Sequence, residues 1–95
     1  MLDVSGVAVE RAYSGNYCGA LGYLNKHGEE GTVLWTVELS EVQNKVVISF
    51  VQGNLPDWFE ETQKHASHLS DHIILTLAKH TDGSFPHRVG RGRRA

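Results

Sequence analysis

The sequence predicts an α+β domain, an antiparallel three- or four-stranded sheet packed against one long C-terminal helix. Three observations carry that expectation. Val33, Trp35, Val37 and Leu39 alternate with Thr36, Glu38 and Ser40, as a strand with one buried face requires. Apolar runs on either side of it, Ala20 to Leu24 and Val46 to Val51, are separated from it by Gly- or Asn-containing turns. Beyond Pro56 the apolar period lengthens to that of a helix.

The first segment, Val4 to Tyr13, reads as an edge strand from the alternation of Val7 and Val9. Val4, Val7, Ala8 and Arg11 also share a helical spacing, and a helix there would give the order α-β-β-β-α. The next three strands fall at roughly residues 19–26, 32–42 and 45–53. His27-Gly28-Glu29-Glu30-Gly31 supplies the turn between the first two of these. A five-residue loop there would pair Tyr23 with Trp35 and Leu21 with Val37. A two-residue loop at Gln43-Asn44 would pair Leu39 with Ile48 and Val37 with Phe50.

From Pro56, Phe59, Ala66, Leu69, Ile73 and Leu77 share one helical face, while Trp58 and Leu75 project away from it. Asp57, Glu60 and Glu61 favour the positive end of the helix dipole, and Lys79 and His80 the negative end. Thr81-Asp82-Gly83 ends a single helix of about 25 residues.

Ninety-five residues make one domain, placed at 1–85, with an Arg/Gly-rich flexible tail at 86–95. Composition is that of a globular chain, with 40% hydrophobic and 21% charged residues, and no apolar run is long enough to span a membrane. Cys18 is the one cysteine, so neither an internal disulfide nor a cysteine-built zinc site can form. Together with an N-terminus unlike a secretory leader, this points to the cytoplasm.

The net charge of −2 conceals an asymmetry. Arg88, Arg91, Arg93 and Arg94 take four of the nine basic residues, leaving an acidic body. Those four arginines are the candidate nucleic-acid contacts, through phosphate. The acidic body opposes that reading.

One long helix covers one sheet face. The other would carry Leu24, Leu34, Thr36, Val47 and Val51, with Leu24 beside Leu34 and Thr36 beside Val51. An uncovered face that is half apolar is a candidate partner-binding surface, for a second copy of the chain or for another protein.

Three of the six histidines cluster on the helix. Glu61, His65, His68 and His72 lie within a sector of about 60°, and the spacing of His68 and His72 suits chelation of one zinc ion from a helix. Glu61 and His72 are about 16 Å apart along the axis, so all four cannot reach one ion. A solvated histidine-rich face is the simpler reading, and apart from this zinc no cofactor is expected. No catalytic residue is expected either. Cys18 has no activating partner in a nucleophile motif, and Gly15, Gly19 and Gly22 lack phosphate-loop spacing.

Tyr17-Cys18-Gly19-Ala20-Leu21-Gly22-Tyr23-Leu24, followed by a Gly-containing turn, two strands and Pro56-Asp57-Trp58-Phe59-Glu60-Glu61-Thr62, resembles the C-terminal part of chorismate-utilising enzymes such as anthranilate synthase. The resemblance spans about half of the chain. Trp35-Thr36-Val37 stands where that family carries Ile-Arg-Thr, and Val51-Gln52-Gly53 replaces its glycine-rich turn. Glu60 or Glu61 would match the family's metal-binding glutamate, with the spacing off by one. These departures leave family and activity unassigned.

The function expected is that of a self-associating protein–protein interaction module, an adaptor, inhibitor or regulatory subunit, rather than an enzyme. The alternatives are nucleic-acid binding through the arginine tail and a small metal carrier or metal-dependent enzyme using the histidine face.

Overall fold

The computed structural model describes residues 2–13, 16–40 and 45–81. Four strands, β1 (Asp3–Tyr13), β2 (Asn16–Leu24), β3 (Glu30–Ser40) and β4 (Lys45–Gly53), form an antiparallel meander in the order β1-β2-β3-β4. Two helices follow, α1 (Trp58–Lys64) and α2 (Ala66–His80). The expected α+β architecture is present, with β1 as an edge strand and not a helix.

The alternation of the sequence assigns the faces. Leu21, Tyr23, Val33, Trp35 and Val37 point to the helix side and are buried, and Leu69, Ile73 and Leu77 of α2 close the core from above. Each such side chain stabilises the fold by about 1.5–3 kcal/mol relative to an exposed position.

Both hairpin registers differ from those expected. Val37 pairs with Ile48, Trp35 with Phe50 and Leu39 with Val46, a shift of two residues. The last described pair is Ser40 with Lys45, so the Gln43-Asn44 turn lies outside the described residues. The observed register stacks three apolar pairs on the buried face where the expected one stacks two.

In the other hairpin, Leu21 pairs with Val33 and Tyr23 with Gly31, a shift of four. Asn25 sets this turn. Its Oδ1 accepts from the His27 and Glu29 amides, both at 2.9 Å, and its Nδ2 donates to Glu29 Oε1 at 3.0 Å. Gly28, with φ of 79°, takes the left-handed position. Shifts of two and four preserve the parity of every residue, which is why the faces are correct and the partners are not.

Ring size explains the chosen register. Trp35 lies across from Gly19 and Tyr23 across from Gly31, while Trp58 packs on Gly53. A Cβ on Gly19 would come within 2.8 Å of Trp35 Cζ2, and one on Gly31 within 2.7 Å of Tyr23 Cζ. Each ring occupies the space that the glycine leaves empty. The expected pairing would have set Tyr23 directly against Trp35.

The single 25-residue helix is divided at His65, whose φ and ψ of −112° and 24° leave the helical region. The break lets α1 lie on β4 while α2 lies on β1. It also rotates the first turns, so that Glu61 and Thr62 are buried with Trp58 half-buried, and Phe59, expected in the core, is 59% exposed. Leu75 is exposed, as its helical position implies. Helix α2 ends at Thr81, whose hydroxyl donates to the Leu77 carbonyl at 2.9 Å, and Gly83 lies outside the described residues.

The buried Tyr23 hydroxyl and Trp35 Nε1 have no hydrogen-bond partner among the described residues. Replacing Tyr23 with Phe is expected to raise stability by about 1 kcal/mol at neutral pH, since it removes a desolvated hydroxyl that gains no bond in return. Burial, and then the nearby Asp57 and Glu61 carboxylates, hold this hydroxyl above its ordinary value of 10.0. The unfolded chain loses the proton first, so native stability falls as pH rises through 10 and above. Urea titrations from neutral to alkaline pH should show that fall weakened in Tyr23→Phe.

Candidate functional site

Two regions combine accessibility with chemistry. The first is the face of the sheet turned away from the helices. Cross-strand rows run Gly6-Gly22-Thr32, Ala8-Ala20-Leu34-Gln52 and Arg11-Cys18-Thr36-Ser49, with Glu38 beside Val47 in the next row. Small residues on β1 and β2 leave a shallow depression over Gly6, Ala8, Ala20 and Gly22, and Leu34 rises beside it. Leu34 is 41% and Val51 55% exposed. Arg11 stands on the edge strand in the row next to Ala8 and Glu38 one row further, so the Gly6 and Ala8 rows themselves carry no charged residue.

Of the residues expected here, Leu34, Thr36 and Val47 occupy the open face at half-buried or exposed positions. Val51 is the residue bulged out where the register slips between Leu34 and Trp35, so Thr36 pairs with Ser49 and not with Val51. Leu34 pairs with Ala20 and Gln52 and not with Leu24. Leu24 ends β2 beside Asp3 and lines a cleft at the end of the sheet.

That cleft is the second region. It encloses about 240 Å³ where the start of β1, the end of β2 and the α1–α2 junction meet. Glu61 and His65 line it together with Leu2, Leu24, Lys26 and Lys64. Glu61 is 5% exposed, because the break at His65 turns it toward the sheet.

The histidine stripe is therefore split. His68 and His72 stack edge to face with ring centroids 4.8 Å apart, and His68 Nε2 lies 3.0 Å from the Leu2 carbonyl oxygen. A carbonyl only accepts, so that nitrogen carries a proton and is withdrawn from metal binding. Among the described residues no three His, Cys, Asp or Glu side chains are grouped to hold an ion. Glu61, His65, His68 and His72 do not form one centre. Arg88, Arg91, Arg93 and Arg94 lie outside the described residues. Among those described, no helix is long and apolar enough to cross a membrane.

No family model, curated protein or solved structure matches this chain. The burial of Glu61 has no signal in the sequence, where it stands among other acidic residues of a first helical turn.

Proposed function

We propose that the chain is a self-associating protein–protein interaction module, a small adaptor, inhibitor or regulatory subunit working in the cytoplasm as a homodimer through the open face of its sheet. The observation that carries this reading is a sheet face that none of the described elements covers, without charge in its Gly6 and Ala8 rows and bearing the exposed Leu34 and Val51.

Size supports it. Four strands about 4.8 Å apart and about ten residues long at about 3.3 Å each present about 600 Å². Two such faces together bury about 1,200 Å², the lower limit for a specific interface. The small residues of β1 and β2 favour close approach, with Leu34 of one copy standing over the depression of the other.

Cys18, half-buried and on this face, is a built-in probe. Its rate of maleimide labelling is expected to fall with the monomer fraction as protein concentration rises. A rate independent of concentration, with the protein fully labelled, would contradict self-association through this face.

A further inference from the structure

The charge of the folded body is unevenly placed. Asp3 pairs with Leu24 and Leu24 with Glu30, which sets both carboxylates at one end of the sheet, beside the turn that carries Glu29. Asp57, Glu60 and Glu61 of the α1 region lie at the same end, where the cations among the described residues are Lys26 and Lys64. Elsewhere among the described residues, Glu10, Glu38 and Asp71 are matched by Arg11, Lys45 and Lys79. The excess negative charge therefore belongs to the α1 end. Burial first, and then Asp57 and Glu61, hold the Tyr23 hydroxyl there above its ordinary value.

Two large apolar side chains stand on the outer surface of the helices. Phe59 of α1 is 59% and Leu75 of α2 61% exposed. Phe59 meets Trp58 edge to face, with ring centroids 5.6 Å apart, and Glu60 and Gln63 are exposed beside it. Leu75, Asp71 and Ser67, all exposed and four residues apart, form a row that leads along α2 back toward α1. An exposed ring flanked by carboxylates suits guanidinium, which stacks on aromatic faces and pairs with carboxylates.

We propose that this outer surface docks the chain's own C-terminal segment, residues 82–95, which lies outside the described residues. Arg91, Arg93 and Arg94 meet the acidic end around Phe59, Asp57 and Glu60, and Phe85 and Pro86 lie near Leu75. Charge selects this occupant, because the segment holds four arginines against the single Asp82 and complements the acidic end of the body. Length permits it. Helix α2 spans about 22 Å and α1 about 10 Å, so the acidic end lies within about 32 Å of Thr81. Ten extended residues reach about 33 Å, which brings Arg91, Arg93 and Arg94 to that end and Arg88 within reach of Asp71. Exposed charge pairs are individually weak, and tethering at an effective concentration of about millimolar favours the chain's own segment over that of a second copy. The docking is separate from self-association, because the helices cover the sheet face opposite to the open one.

The test is paramagnetic relaxation in the full chain, with a nitroxide on Ala95→Cys in a Cys18→Ser background. At about 0.01 M salt the amides of residues 57–64 should lose most of their intensity, and at about 1 M salt they should recover it. Arg91→Glu, Arg93→Glu and Arg94→Glu together should abolish the loss and leave circular dichroism unchanged. A mixture of nitroxide-bearing chains without isotope and isotope-labelled chains without nitroxide should show no loss. Unbroadened α1 amides at low salt, a loss that persists unchanged at high salt or in the glutamate variant, or a loss of equal size in the mixture would each overturn the proposal, the last by assigning the segment to a second copy.

Discussion

The double variant Leu34→Glu, Val51→Glu is expected to remain folded and to lose self-association by about 100-fold or more. Both side chains are substantially exposed, so the substitutions change the isolated domain by about 0.5 kcal/mol each at most. In a face-to-face pair Leu34 on the inner strand β3 and Val51 beside it on the edge strand β4 both fall within the buried patch, where the two-fold repeats each substitution. Desolvating carboxylates there without partners costs about 3 kcal/mol or more, which is the stated loss in affinity. Circular dichroism should be unchanged, and the molecular mass in solution should drop to that of one chain. A dimer that survives both substitutions would place the interface elsewhere.

Gly19→Ala is expected to have the largest effect on stability of any single methyl addition. A Cβ at Gly19 would run into the backbone carbonyl of Ala8 on β1 and into Trp35 Cζ2, neither of which is the free end of a flexible chain. Relief requires either opening the β1–β2 ladder or moving a fully packed indole, a cost of about 3 kcal/mol. For a domain of this size that lowers Tm by about 10–20 °C. Gly6→Ala, on the neighbouring strand with nothing within 4 Å of the added carbon, is the matched control and should shift stability by less than about 0.5 kcal/mol. Equal Tm values for the two variants would mean that Trp35 does not rest on Gly19.

That pair of glycines shows how far the sequence could be read. The alternation through Val33, Trp35, Val37 and Leu39 marks a buried and an open face, and the structure has both. The partners of those residues were not legible, because the two hairpin slips move pairs by even steps and leave every face unchanged. What discriminates between registers is the fit of Trp35 over Gly19 and Tyr23 over Gly31, a matter of volume that periodicity does not express.

The helix shows a different limit. Leu69, Ile73 and Leu77 were identifiable from spacing, and all three are fully buried. Nothing in Lys64-His65-Ala66 announces an interruption, since none of the three is glycine or proline. The break follows from tertiary packing, with α1 lying on one edge strand and α2 on the other. It exchanges Phe59 for Trp58 at the sheet and buries Glu61, so the cleft at the helix junction arises from segments far apart in the chain, Leu2, Leu24 to Lys26 and Glu61 to His65. The open face, by contrast, was readable, because a sheet with one helical layer leaves its other side uncovered.

The central claim, self-association through that open face, is tested most directly by sedimentation equilibrium of the native chain over a wide concentration range, run beside Leu34→Glu, Val51→Glu. The account predicts a concentration-dependent rise to twice the 10.5 kDa chain mass for the native protein and a constant 10.5 kDa for the variant. A native chain that stays at the mass of one copy at every concentration, or a variant that dimerises equally well, would contradict it.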